Sequence, residues 1–447
     1  MSGSTYLTSN FTGTGSSTGD KVTYSVWIKR TDPAGDTRST IISGYDDGNN
    51  YMKIRFADDD KFHIYGAHSG SANFNVYAVK ECRDVSGWYH LVFQIDTTHA
   101  TESERVKVWI NGESISISGQ MPSQNHPIYT LKSDDMEIGR NAHSDNEHFD
   151  GYMSHFHCCH GYLYAPTIFG GTDSTTGEWE INSAPSVSYG SKGWFMFKDN
   201  ASVTDQSGNG NSFTAGGAGL TKSEDCPSNV FAVCNPLTNP NSSLDFTQGN
   251  NTMVNSTQWL GSLSTLAMFK GKFYWEFKCT GNFLTGVSQL NTNATQSDNL
   301  GSANNGYSSK WPGGYEMING GNKSNNNNSG TSYGSSYSSS DIGMVAFDAD
   351  VGAIWFGKNG TWQASATQTE IENGTTTNAA WTGLTNASGY VASFSTENST
   401  MNLNFGNGYF GTTAVSSAGN NASGFGIFEY DVPAGFTALC TKGINSF

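Results

Sequence analysis

Charge is scarce in this chain of 447 residues. Asp, Glu, Lys and Arg make up 14% of it, and apolar residues only 36%. Residues 226–447 contain no arginine and no histidine, and their 12 acidic residues outnumber 7 lysines. An arginine clamp or a histidine acid–base pair therefore has no material in that half. The formal net charge is −16, and both halves are acidic, which speaks against a surface that follows a phosphate backbone. No apolar run approaches the roughly 18 residues of a membrane span. The opening MSGSTYLTSN has neither the basic nor the apolar region of a secretion signal. The seven cysteines are an odd number and two of them, Cys158 and Cys159, are adjacent. That fits free thiols better than a disulfide framework.

What is abundant is turn-forming and strand-forming material. Glycine occurs 53 times and aromatics reach 13%. Asn, Ser and Thr fill much of the rest, and these residues favour turns over helices while aromatics suit pleated surfaces. Period-2 alternation recurs in VTYSVWIK, HLVFQID and RVKVWING, the last ending in a hairpin signal at Asn111-Gly112. KFYWEFK, IWFGKNGTW and MNLNFG repeat the pattern in the second half. The expected fold class is all-β, as two tandem antiparallel β-sandwiches. The Pro- and Asn-rich segment 226–243 reads as a linker between domains 1–225 and 244–447. A low-complexity run, 319–340, reads as a surface loop of the second domain.

Residues 1–172 resemble laminin-G-like (concanavalin-like) jelly rolls through YSVWIKR, GWYHLVFQIDTT, RVKVWINGE, EIGR and FDGYMSHFHCCHGYLYAPTIFG. WFMFKDNASVTDQSGNGNSFT resembles the opening strand and turn of the same family but comes last. A circularly permuted domain with its closing strand near 194–214 is the favoured account, a piece packed between domains the other. Residues 244–447 resemble the SPRY fold through GKFYWEFKCTGNFLTGVS, DIGMVAFDADVGAIWFGKNGTW, MNLNFG and PAGFTALC. In this order the two domains resemble virion surface proteins of tailed bacteriophages, particularly marine ones. The resemblance implies a non-enzymatic capsid fibre, capsid decoration or tail-associated adhesin, made in the bacterial cytoplasm and carried on the particle exterior. Its implied partners are other virion proteins, further copies of itself (a trimer is the working expectation) and a glycan of the host surface. It implies no nucleic acid, no membrane insertion and no cofactor, with calcium the one ion its acidic loops could take. A purely structural role without a ligand is the alternative.

Three groups of residues invite chemistry. His155, His157, Cys158, Cys159 and His160, in SHFHCCHG, look like a metal site. On an extended strand, however, same-face residues i to i+4 span roughly 13 Å, too far for three ligands on one zinc. The resemblance instead assigns Phe156 and Cys158 to the core. The paired-carboxylate strand of glucanases, Glu-x-Asp-x-x-Glu, is missing; 134–137 and 178–180 have the wrong spacing. Asp46, Asp47, Asp58 and Asp60 are weak calcium candidates, and the Asp205 to Asn211 stretch reads as a turn. By the SPRY resemblance, ligand binding falls to loops that hold Tyr307, Trp311, Tyr315, Asn319, Tyr333 and Tyr337, where rings could meet a sugar or peptide.

Thiol titration of the denatured protein is expected to find all seven cysteines reactive. A reproducible shortfall of two would mean a disulfide and overturn the reading.

Overall fold

Strands with apolar residues at every second position have one face to bury, and two such sheets bury theirs against each other. In the computed structural model the chain forms two units, Met1–Lys222 and Ser223–Phe447. The residues described are all but 1–4, 10–19, 32–37, 71–72, 133–134, 200, 239–242, 258, 291–313, 326–329 and 386–387. Both units are antiparallel β structure, with helix confined to short turns such as Tyr129–Lys132 and Gln368–Glu372. No helix among the described residues is long and apolar enough to cross a membrane.

The first unit runs β1 (Tyr6–Ser9), β2 (Lys21–Arg30), β3 (Ser39–Asp47), β4 (Asn50–Phe56), β5 (Lys61–Ala67), β6 (Phe74–Glu81), β7 (Tyr89–Asp96) and β8 (Val106–Ile110). It continues with β9 (Glu113–Ile115), β10 (Ile117–Gln120), β11 (Asp135–Ile138), β12 (Gly151–His160), β13 (Gly170–Thr172), β14 (Trp179–Ile181), β15 (Trp194–Met196) and β16 (Thr214–Gly216). One sheet has eight strands in the order β10-β6-β5-β4-β3-β11-β1-β16, and the other has six in the order β15-β12-β2-β7-β8-β9. Met52, Ile54 and Phe56 of β4, Phe62 and Ile64 of β5, and Val76 of β6 meet Tyr24, Phe93, Phe156 and Trp194 in one core. Trp194–Met196 pairs with β12 at the edge of the six-stranded sheet, and Thr214–Gly216 pairs with β1 at the edge of the large one. Between them Asp205 ties a turn: its carboxylate accepts from the backbone N–H of Phe195, Ser207 and Asn211 at 2.8–2.9 Å.

The two outer faces of this sandwich differ. Over the six-stranded sheet, segment 161–193 folds back and packs Phe169, Tyr164, Ile168, Val187 and Tyr189 against Val92, Trp109 and Cys159. That face is closed by the chain itself. Over the eight-stranded sheet the segment 139–148 lies against β3 and β4, and outward residues of β5 and β6 such as Tyr65 and Tyr77 are left partly exposed.

The second unit repeats the two-sheet plan with an eight-stranded and a six-stranded sheet. Two readings of the sequence need correction here. Segment 226–243 is not a linker throughout: Phe231, Ala232, Val233 and Cys234 are buried in the second unit, and the Ala232 N–H donates to Leu439 O at 2.9 Å. Four consecutive apolar side chains outweigh the flanking Pro and Asn. The low-complexity run is not all loop either. Asn322–Asn325 pairs with Gly314–Ile318, and Thr331–Ser332 extends the same sheet. Backbone pairing at a sheet edge needs no apolar side chains, and polar ones guard the edge against further association.

Glu276 is fully buried in the second unit, on the strand Lys272–Cys279. Oε1 accepts from the Tyr274 hydroxyl and the Tyr430 N–H, both at 2.9 Å. Oε2 accepts from the Glu429 N–H at 2.9 Å and Asn404 Nδ2 at 3.3 Å. Burial pushes its pKa up to about 7, while these donors favour the charged form. An acid whose folded pKa exceeds its unfolded value takes up a proton on folding. Its contribution to stability therefore declines as pH rises from about 4.5 to about 7 and is level above that. Glu276→Gln, which turns an NH2 group toward these donors, is expected to destabilise the second unit by about 1–3 kcal/mol. The variant should also lack that segment of the pH dependence. A difference in melting temperature that stays constant from acid to neutral pH would contradict this account.

Candidate functional site

On the outer face of the eight-stranded sheet, the residues that alternate with the core along β4 and β5 include aromatic and charged ones. Because Met52, Ile54 and Phe56 point inward, Tyr51, Lys53 and Arg55 of β4 point outward. The same pleat sends His63 and Tyr65 of β5 and Tyr77 of β6 to that face. Cross-strand register sets them in rows: Ser43, Lys53, Tyr65 and Asn75 in one, Thr40, Arg55, His63 and Tyr77 in another. The Tyr51 and Tyr65 rings lie 5.9 Å apart, and His63 stacks on Tyr77 at 5.4 Å.

The segment 139–148 borders this face on the β3 side. Ser43 Oγ donates to Arg140 O at 2.7 Å, and the His143 ring sits 4.5 Å from Tyr51. Glu147, on the same segment, reaches the row of cations. Lys53 Nζ lies 3.0 Å from Oε2 and Arg55 Nη1 2.6 Å from Oε1, while Arg38 stands 4.0 Å off. The Thr40 hydroxyl donates to Oε2 at 3.2 Å. Burial opposes the Glu147 charge, but Lys53 and Arg55 outweigh it and hold the carboxyl below its usual range. Lys53 is lowered by burial and by Arg55, against the pull of Glu147. Burial and the Tyr65 hydroxyl push Tyr51 up to about 12.

Two further clusters have the residue types of catalysis without its geometry. Ser25 Oγ and His90 Nε2 are 2.8 Å apart in a buried setting. Trp179 Nε1 can only donate, and it donates to His90 Nδ1 at 2.9 Å, so Nε2 carries the proton and gives it to Ser25. His90 cannot serve Ser25 as a base, and burial lowers it to about 3. The ring is a packing element between Trp27 and Trp179, and no sequence signal marked it. On β11, Asp135 and Glu137 share a face, but both Glu137 oxygens are held by Arg140, whose guanidinium lies 3.6 Å over the Tyr6 ring.

The residues singled out in the sequence are dispersed. An extra residue on β12 between Ser154 and His157 takes His155 out of the alternation at φ 45°. Phe156 and Cys158 enter the main core, and Cys159 joins the cluster under segment 161–193. His157 Nδ1 meets the Tyr189 hydroxyl at 2.9 Å, and His160 Nε2 meets Asp20 at 2.9 Å. Among the described residues no three His, Cys, Asp or Glu side chains are grouped for a metal ion. The acidic loops do not combine: Asp46 and Asp47 lie at one end of β4 and Asp58 and Asp60 at the other, roughly 20 Å away along the strand. Asp60 is buried and taken by Arg30 and Arg83, both at 2.9 Å, while Asp58 faces Arg38 at 3.5 Å. Arginines thus partner Asp58 and Asp60, while Asp47 accepts from the Asn49 N–H and the Asn50 amide, both at 2.8 Å.

In the second unit, Tyr307 and Trp311 lie outside the described residues. Tyr333 is a core residue rather than an open ring: it is 9% exposed, and its hydroxyl donates to Asn378 O at 2.9 Å. Tyr337 is half-buried and packs against Phe277 and Phe283. Tyr315 stands edge-on to Trp381 at 5.7 Å. Asn319 donates through Nδ2 to Asn282 Oδ1 at 3.0 Å and accepts the Tyr337 N–H, so it holds a turn.

Residues 2–169 match the family model described as the concanavalin A-like lectin/glucanases superfamily. Among solved structures, the chain is similar to the SPRY domain of human HERC1, at 16% identity over 36% of this chain and 92% of that one, with a TM-score of 0.26. It is similar to the CBM40 of the Ruminococcus gnavus IT-sialidase bound to alpha2,3 sialyllactose, at 11% identity over 30% and 72%, with a TM-score of 0.24. It is also similar to domain 4 of AbnA, a GH43 extracellular arabinanase from Geobacillus stearothermophilus, in complex with arabinotriose, at 19% identity over 33% and 64%, with a TM-score of 0.25. No curated protein matches the chain.

Glu147→Gln should leave Lys53 and Arg55 facing each other without a counter-charge, at a loss of about 2–4 kcal/mol. Chemical denaturation at neutral pH checks this. The depressed carboxyl places the loss of the wild-type contribution below the ordinary carboxylate range, so wild type and variant should converge only in acid. Equal stability at neutral pH would show the ion cluster to be idle.

Proposed function

We propose that this protein is a non-enzymatic glycan-binding protein of a bacteriophage particle surface, and that it binds through the outer face of the first unit's eight-stranded sheet. The carrying observation is the pairing of Tyr51 with Tyr65 and of His63 with Tyr77 on either side of Lys53, Arg55 and Glu147. Flat ring faces beside fixed donors and acceptors are what a sugar needs, because its rings present C–H faces and hydroxyl edges together. The match of residues 2–169 to a superfamily of lectins and glucanases supports the same class of ligand. The virion setting rests on the order of the two resemblances in the sequence. A binding role rather than hydrolysis is favoured by Glu137, whose oxygens are occupied by Arg140. Such a carboxylate is poorly placed to act as a nucleophile or an acid.

Full-length protein assayed on immobilised host polysaccharide should bind, and Tyr51→Ala and Tyr65→Ala should each weaken it about tenfold with the melting temperature maintained. Adsorption that is unchanged in both folded variants would move the function away from this face and toward a structural role. Release of reducing sugar from the bound polysaccharide would refute the non-enzymatic part.

A further inference from the structure

We infer that the ligand of this outer face is an acidic glycan, whose carboxylate is received by Arg55 and Lys53. This deepens the glycan-binding reading and rests on it. The first observation is a local imbalance of charge. Lys53 and Arg55 share one carboxylate, that of Glu147, in a chain whose net charge is −16. The nearest further cation, Arg38, is exposed and engaged with Asp58. Among the described residues, the cations that contact Glu147 outnumber its one charge, where the molecule as a whole is negative.

The second observation is an unused donor. Arg55 is 8% exposed, and its Nε–H is buried with no acceptor among the described residues. A guanidinium presents its donors in a planar fork suited to two oxygens of one carboxylate. Glu147 takes one prong, Nη1. A buried donor left unmade is costly, and such groups are normally satisfied in the functional state. An incoming carboxylate oxygen supplies the acceptor. Lys53 adds a second charge-assisted donor, since its ammonium has three N–H bonds and spends two on Glu147.

The third observation is placement. The Lys53 ammonium lies 5.8 Å over the Tyr65 ring, so charge and ring face are adjacent on neighbouring strands. An acidic sugar has the same adjacency, a carboxylate beside the C–H face of one ring. A neutral sugar would leave the Arg55 Nε–H facing only hydroxyls, which compete poorly with water for a guanidinium.

The test uses the full chain and three probes, polygalacturonate, alginate and hyaluronan, each beside its carboxyl-reduced form. Binding is measured at about 0.15 M salt, where the Debye length of about 8 Å screens the distant acidic residues. At least one acidic probe should bind about tenfold or more tighter than its reduced form. Arg55→Gln should abolish that preference. Because this change leaves Glu147 with one partner, the charge-balanced pair Arg55→Gln with Glu147→Gln is made as well and its melting temperature checked. Loss of the preference in the folded double variant supports the inference. Equal binding of acidic and reduced forms, both weakened by Tyr51→Ala, overturns it and leaves the glycan reading intact. A preference that survives in the folded double variant also overturns it. No binding of any probe, when neutral host polysaccharide is bound, overturns it as well. No binding of any polysaccharide removes the glycan reading and the inference together.

Discussion

A two-layer β-sandwich has four sheet faces, and its core consumes only two of them. The treatment of the remaining two governs everything at the candidate site. In the first unit one outer face is covered by segment 161–193, which carries its own apolar residues to Val92, Trp109 and Cys159. On the other outer face the segment 139–148 lies against β3 and β4 and leaves Tyr65 and Tyr77 of β5 and β6 partly exposed. Alternation along β4, β5 and β6 then turns every residue between two core residues toward that outer face. Tyr51, Lys53, Arg55, His63, Tyr65 and Tyr77 are among them.

This arrangement makes the face stiff. Tyr51, Lys53 and Arg55 are interleaved with Met52, Ile54 and Phe56, which are buried in the main core. The strand cannot rotate to hide one set without exposing the other. Glu147 fixes the two cations from the side, and Thr40 fixes Glu147. Side chains held in this way lose little freedom on binding, which is how a small patch achieves useful affinity.

Buried carboxylates elsewhere in the protein act as clamps. Glu276 gathers the N–H groups of Glu429 and Tyr430 onto the central sheet of the second unit, and Asp205 gathers those of Phe195, Ser207 and Asn211 in the first. Each satisfies backbone donors that a turn would otherwise leave buried and unmade. Asp60 clamps side chains instead, between Arg30 and Arg83. Loops rich in Gly, Asn and Ser bury little apolar surface of their own, so an acid accepting several N–H bonds is an economical anchor for them. Glu147 differs in that its partners are cations with donors to spare.

Much of the architecture was legible in the sequence because strand alternation is local. VTYSVWIK, HLVFQID and KFYWEFK each reveal an inward face without reference to any other segment, and Phe156 and Cys158 take the core positions that the family resemblance assigned them. What alternation cannot reveal is the fate of the outward face. The histidines of SHFHCCHG are spaced like ligands, yet a bulge and the segment 161–193 send them to separate partners. Tyr333 has the surroundings of a loop residue, yet it is drawn under a neighbouring segment by its bond to Asn378. Conversely, YMKIRF and KFHIY carry no motif, and their outward residues become a site only when β3, β4, β5 and β6 align and Glu147 arrives from 92 residues beyond Arg55. The sequence by itself determined the all-β class and the inward residues of strands such as Lys21–Arg30, Tyr89–Asp96 and Lys272–Cys279, since both depend on neighbours one or two positions away. Tertiary structure alone decided which outer face stayed partly exposed and which charges met there, because those outcomes depend on chain segments whose approach leaves no local trace.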